Sequence, residues 1–158
     1  MKTSKTIKLL AMDVDGTLTD GRIYIGSDGE VMKAFDVKDG YGIVRFRQAG
    51  GVPAIITGRR SKIVEERCRE LGITELQQGV SDKLGCLISL AEKYHLEREE
   101  IAYIGDDLND LDCLHYAGVS ACPADAMATV RGACTYVCTA DGGRGAVREF
   151  VDFINKSS

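Results

Sequence analysis

The stretch LLAMDVDGTLTDG, Leu9 to Gly21, decides how this chain is read. Apolar residues run up to Asp13 and Asp15, and then Gly16 opens a series of small and polar residues. A run that is almost wholly apolar suits a parallel strand covered on both faces. Two carboxylates placed together at its end are costly unless a cation or a proton compensates. Residues i and i+2 of a strand point to the same side, so Asp13 and Asp15 are expected to converge just beyond the sheet. A divalent metal is the natural counter-charge there, because hard cations take oxygen ligands.

Working outward, the first strand is expected over Ile7–Val14, and four more runs have the same character: Gly51–Thr57, Ile101–Gly105, Val119–Cys122 and Thr135–Cys138. Between them, apolar residues recur at helical spacing over Tyr41–Ala49, Ser61–Leu71, Ser81–Tyr94 and Gly145–Ile154. Strands alternating with helices predict an α/β fold: a doubly wound, Rossmann-like parallel sheet with helices on both faces. One segment breaks the rhythm. Arg22–Ile25 and Glu30–Phe35 are strand-like and flank Ser27–Gly29, which predicts a small β-hairpin over about residues 21–35. It follows the aspartate pair at the edge where open α/β sheets bind ligands, so it is expected to overhang the site as a flap. An ordinary edge hairpin is the plainer alternative.

The 158 residues suit one compact domain, 1–158. Hydrophobic residues make up 44% and charged residues 28%, which excludes a disordered chain. A formal net charge of −4 supplies no basic field for nucleic acid. Met1–Thr6 is polar, the apolar run after it is too short for a signal peptide, and no segment reaches the ~20 apolar residues of a membrane helix, so a cytoplasmic enzyme free of membranes is expected. The six cysteines show no C-x-x-C pair and read as small hydrophobes in a reducing compartment. His95 and His115 are isolated and suggest no ligation.

The chemistry gathers at strand ends. After IAYIG comes DDLND, with Asp106, Asp107, Asn109 and Asp110. Alone this motif could be a solvated turn capping a helix. With Asp13 and Asp15 on the same sheet edge, Asp106 completes a carboxylate pocket suited to Mg²⁺ and phosphate. Thr57 and Gly58 end another strand with a hydroxyl and backbone N–H groups before a helix start, where anions bind well. Lys83 begins a helix and brings a point charge able to reach a phosphate. Each signal is weak singly; an Asp-x-Asp, a Thr, a Lys and an acidic cluster in this order are strong together.

That ordered set resembles the haloacid dehalogenase superfamily from end to end of the chain. The resemblance implies that Asp13 attacks phosphorus to form an aspartyl-phosphate. Asp15 would serve as general acid and base, and would hold the metal through its backbone carbonyl. It implies Asp106 as a Mg²⁺ ligand, Asp107 and Asp110 orienting its waters or Lys83, and Thr57, Gly58 and Lys83 holding phosphoryl oxygens. Asp20–Ala34 leaves room for a hairpin and no large cap domain. The phrases DVKDGYGI, ITGRRSKIVEERCRELGI, QGVSDKL, YIGDDLNDL and GGRGAVREF look like the small capless phosphatases of 3-deoxy-octulosonate 8-phosphate (KDO 8-phosphate), whose product enters lipopolysaccharide synthesis. That likeness implies a phosphorylated sugar acid as substrate, with Arg59, Arg67 and Arg144 as sugar contacts, and a homotetramer whose neighbouring hairpins and tails close each site. A solvated helix face or a carbonyl contact is the plainer role for these arginines. A sister group acts on the nine-carbon 2-keto-3-deoxynononate 9-phosphate, with a Glu after the Thr-Gly turn and a Lys further along that helix. Arg59 and Glu70 stand at those places here, which favours the eight-carbon acid. Outside enzymes, a phospho-accepting switch domain or an inactive module are the alternatives; the switch places its acceptor on a middle strand and lacks a counterpart of Asp15.

Overall fold

The computed structural model describes residues 5–157; residues 1–4 and 158 of the expected 1–158 domain, and with them most of the polar Met1–Thr6 segment, lie outside it. Six parallel strands form one sheet: β1 Leu9–Met12, β4 Val52–Ile56, β5 Glu75–Gln77, β6 Ile101–Ile104, β7 Val119–Cys122 and β8 Tyr136–Val137. Their spatial order is β5-β4-β1-β6-β7-β8. The chain builds outward from β1 to β5, then returns to place β6 against the other side of β1. That reversal is a topological switch point, and open α/β sheets bind ligands at its carboxyl end.

Period-2 alternation in β1 feeds two cores. Leu10 and Met12 pack with Ile43, Phe46, Val64, Phe150 and Val151 beneath α1 (Val37–Gln48), α2 (Lys62–Leu71) and α6 (Ala146–Lys156). Leu9 and Ala11 pack with Leu87, Leu90, Tyr103, Cys113 and Val130 beneath α3 (Lys83–Lys93), α4 (Leu111–Tyr116) and α5 (Ala128–Arg131). All four β1 residues are fully buried, and each large one contributes roughly 1.5–3 kcal/mol by leaving water. The doubly wound sheet with helices on both faces, and no large cap domain, is therefore as expected.

The hairpin is β2 Tyr24–Gly26 and β3 Gly29–Met32, antiparallel. The remaining differences from expectation are local. Helix α1 starts at Val37 rather than Tyr41, because Asp36 caps it by accepting from the Lys38 N–H at 2.7 Å. Three short elements, β5, α4 and α5, fall where no helix or strand was expected.

Candidate active site

Strand β1 stops at Met12, and Asp13 is the first residue beyond it. Its N–H donates to the Ile104 carbonyl at 3.1 Å, which ties it to β6 across the switch point. Asp82 caps α3 by accepting from the Gly85 N–H at 2.9 Å, so the helix opens on Lys83. The buried Lys83 ammonium donates to Asp13 Oδ1 at 3.0 Å and to Asp110 Oδ1 at 2.9 Å. Asp110 is fully buried, and its Oδ1 also accepts from the Tyr103 hydroxyl at 2.6 Å. Its Oδ2 accepts from the N–H groups of Asp106 at 3.0 Å and Asp107 at 3.2 Å. Asp110 thus fixes both Lys83 and the loop that carries Asp106. Thr17, in the loop after β1, donates its hydroxyl to Asp106 Oδ1 at 3.2 Å.

Charge is out of balance here. Asp13, Asp106 and Asp110 each offer an oxygen within 4.8 Å of the others, and Lys83 is the ammonium bonded between Asp13 and Asp110. Burial pushes the Asp13 carboxyl well above the usual range; Asp110 and Asp106 add to this and Lys83 opposes it. Burial likewise raises Asp106 to about 6, with Asp110 and Asp107 adding and hydrogen bonds with Asp13 and Thr17 opposing. Burial disfavours the charge on Lys83 too, yet Asp13 and Asp110 outweigh it and hold the ammonium above its ordinary range.

A divalent cation relieves this imbalance, and the residues fit one. Asp110 is close enough to be a ligand but is already spoken for, since its two oxygens accept four hydrogen bonds, about all a carboxylate offers. Asp13 and Asp106 have the remaining capacity. Gly16, at φ +89°, makes the approach possible, because a Cβ there would overlap Asp106 Oδ2.

Asp15 does not join this cluster. The strand ends before Asp13, so the same-side rule fails and the turn carries Asp15 toward the hairpin. Lys33 donates to Asp15 Oδ1 at 2.6 Å, and Arg59 Nε stands 4.0 Å from Asp15 Oδ2. The two aspartates therefore sit against separate ammonium groups instead of converging on one point.

Thr57 is buried one residue past β4, and Gly58 and Arg59 are exposed beside it. A Cβ at Gly58 would meet only the Val80 carbonyl at 3.7 Å, so the backbone there is open. Since Met12 pairs with Ile55, Thr57 lies at the level of the Asp13–Gly16 turn. Asp107 is exposed, and its carboxylate accepts from the Leu108 N–H at 2.7 Å, in its own turn. Arg67 lies at the base of the hairpin, over the Phe35 ring, donating to the Asp36 carbonyl at 3.3 Å and to Glu70 at 3.0 Å. Arg144 is exposed and follows Gly142 and Gly143, which press on the Gly16–Asp20 loop so closely that a Cβ at Gly142 would overlap the Gly16 carbonyl. The structure brings Asp13, Asp106, Asp110 and Lys83 into direct contact, sets Asp15 and Arg59 at the mouth, and leaves Arg67, Asp107 and Arg144 outside the cluster.

Sequence reasoning missed Tyr103, Thr17, Lys33, Glu30 and Ser61. Tyr103 sat inside an apolar strand and read as core. Lys33 and Glu30 are three apart, which is no strand period, and they meet because β3 ends at Met32.

The pattern of the haloacid dehalogenase-like hydrolases matches residues 69–150. The chain is 47% identical over 154 residues to the 3-deoxy-D-manno-octulosonate 8-phosphate phosphatase of Shigella flexneri, covering 98% of this chain and 82% of that protein. The solved structure of the phosphatase of that name from Yersinia pestis is similar with a TM-score of 0.93 and 47% identity, covering 96% of this chain and 82% of that one. The Moraxella catarrhalis counterpart, in complex with magnesium, phosphate and KDO, gives a TM-score of 0.94 and 44% identity over 99% of this chain and 90% of that one.

Proposed function

This chain belongs to the 3-deoxy-D-manno-octulosonate 8-phosphate phosphatase family of haloacid dehalogenase-like hydrolases, and from that premise we propose that it is a Mg²⁺-dependent phosphatase splitting KDO 8-phosphate into KDO and inorganic phosphate. The observation that carries the reading is the cleft at the switch point, where Asp13 and Asp106 face one another beside the buried Lys83. The relatives named above act, by name, on the eight-carbon ester, so the nine-carbon alternative is not favoured.

The course we propose begins with a phosphate group entering between Thr57, the Gly58 backbone and Lys83. An oxygen of Asp13 attacks phosphorus, and the bond from phosphorus to the sugar oxygen breaks. The electron pair stays on that oxygen, which takes a proton from the Asp15 carboxyl. Water then attacks the aspartyl-phosphate and gives its proton to Asp15; the acyl phosphate bond breaks and the Asp13 carboxylate returns. Magnesium, held by Asp13, Asp106 and the Asp15 backbone carbonyl, supplies charge neutralisation that lets an anionic nucleophile approach an anionic phosphate. Lys83 holds Asp13 in place and balances the phosphoryl oxygens. Asp110 holds Lys83, and Asp107 belongs to the outer ring of the loop. Arg59, at the mouth, is the proposed partner of the sugar carboxylate, with Arg67 and Arg144 contributing from outside the cluster.

The assembly we propose is a homotetramer. It is supported by the apolar hairpin surface, where Ile25 is 70% and Val31 62% exposed. A cytoplasmic setting is supported by six unpaired cysteines. No helix among the described residues is long and apolar enough to cross a membrane.

The test is phosphate release with Mg²⁺ from KDO 8-phosphate, 2-keto-3-deoxynononate 9-phosphate and hexose phosphates compared side by side. The reading expects kcat/KM to favour the eight-carbon acid strongly. Preference for the nine-carbon acid would overturn the substrate and keep the chemistry.

A further inference from the structure

The hairpin carries a clasp on Asp15. Lys33 lies one residue past β3 with its side chain 2% exposed, and its Nζ is 2.6 Å from Asp15 Oδ1 and 2.9 Å from Glu30 Oε1. The other Glu30 oxygen accepts from the Ser61 hydroxyl at 2.5 Å. Ser61 is itself fixed: it caps α2, its Oγ accepting from the Val64 N–H at 3.3 Å, and its own N–H donates to Gln78 Oε1 at 2.8 Å. An unbroken run of hydrogen bonds therefore leads from the loop after β5, through the first turn of α2 and across the hairpin, to the carboxylate of Asp15. An ammonium this deeply buried is kept where it is by both carboxylates it touches.

We propose that Lys33 is a positioning residue: it holds the Asp15 carboxylate at the one place from which a proton reaches the leaving oxygen, and Glu30 and Ser61 fix Lys33 in turn. A carboxylate on a turn beyond the strand end otherwise has two side-chain rotations to explore, and proton transfer requires it within hydrogen-bond reach of a single oxygen. The hairpin is thus part of the acid–base machinery as well as a cover. The inference deepens the reaction course proposed above and rests on it.

The test separates proton transfer from phosphoryl transfer. Nitrophenolate leaves without a proton, so the pre-steady-state burst from p-nitrophenyl phosphate reports attack by Asp13 alone. A sugar alkoxide needs its proton. Lys33→Met is expected to leave the burst rate within about 2-fold while lowering kcat for KDO 8-phosphate by up to about 100-fold at a little-changed KM. Lys33→Arg is expected to recover part of the loss, and Glu30→Gln to show the same pattern more weakly. The Glu30→Gln variant also carries the test if Lys33→Met fails to fold, as judged by its thermal melt. Equal loss in burst and sugar turnover would overturn the inference in favour of a structural role. A raised KM with intact kcat would overturn it in favour of a substrate contact, and no change would overturn it outright. If the wild-type protein shows a burst with the aryl ester but does not turn over KDO 8-phosphate, the substrate reading fails, and the Lys33 comparison is made on an alkyl phosphate the wild type accepts.

Discussion

Asp13 and Gly16 divide the work at the scale of single residues. Asp13→Asn keeps the shape and the hydrogen bond to Lys83 but removes the charge and nucleophilicity. Turnover is expected to vanish while the circular dichroism spectrum stays native, and substantial residual phosphate release would remove Asp13 as nucleophile. Gly16→Ala changes no reacting group. Its Cβ would press on Asp106 at a φ of +89° that side chains rarely adopt. The Mg²⁺ concentration for half-maximal activity is expected to rise by about 10-fold or more, as when a ligand's support is disturbed. An unchanged Mg²⁺ titration would show that Asp106 does not need the space. The gathering of Asp13, Asp106, Thr57 and Lys83 at one sheet edge was legible in the sequence because each stands at a strand end or a helix start. Asp110 was expected, by resemblance, to orient Lys83 or the waters of the metal; what the sequence hid is its own fixing, by Tyr103 and by two N–H groups folded back over it.

Elements meet through a buried carboxylate that no sequence pattern singles out. Asp39, in the first turn of α1, is 1% exposed and accepts from the Arg148 N–H in α6 at 2.9 Å. Gly145 caps α6 without a side chain of its own, so Asp39 caps that helix from another one. Its second oxygen, Oδ2, is buried without a partner. Burial raises its carboxyl to about 6, with Asp36 adding and the Arg148 and Gly145 N–H groups opposing. The folded state therefore binds this proton more tightly than the unfolded chain does. Its stabilising contribution is full below about pH 4 and is lost as pH rises through about 6, a swing of roughly 3 kcal/mol. Asp39→Asn removes that dependence. Urea unfolding at pH 4.5 and pH 7.5 should show the variant gaining on the wild type at the higher pH; a constant difference would show that Asp39 does not titrate on folding. Edge strand β5 was hidden for a related reason. Its three residues begin with Glu75, which reads as loop, and it becomes buried only because Lys93 and Tyr94 reach back to it at 2.5 Å each.

Across the whole molecule, the hairpin is the least self-sufficient part. Ile23, Tyr24, Ile25, Val31 and Met32 are all exposed in it, and Val37, which opens α1, is 83% exposed. So many exposed apolar side chains in one short segment suit an interaction site. Sedimentation equilibrium is expected to give four chains per particle, and Ile25→Asp with Val31→Asp to break it down without unfolding the sheet. A wild-type monomer at micromolar concentration would end the tetramer proposal. The doubly wound sheet was legible because five apolar runs of strand length, alternating with amphipathic helices, are buried on both faces most economically that way. The exposure of the hairpin's apolar side chains was not, since exposure is a property of the folded surface and not of the local sequence.

The central position of β1 has a consequence for how the chain is made. Leu9 pairs with Val52 on one side and Ile101 on the other. Since β1 precedes β4 and β6 in the chain, it must wait for the second of these partners. At roughly 5–20 residues per second, synthesis needs about 5–20 s to travel from β1 to the end of β6. For that interval a strand of four apolar residues followed by Asp13 has at most one neighbour. Catalytic competence is thus a late event on the nascent chain, and moving β1 behind β6 by circular permutation would shorten the wait.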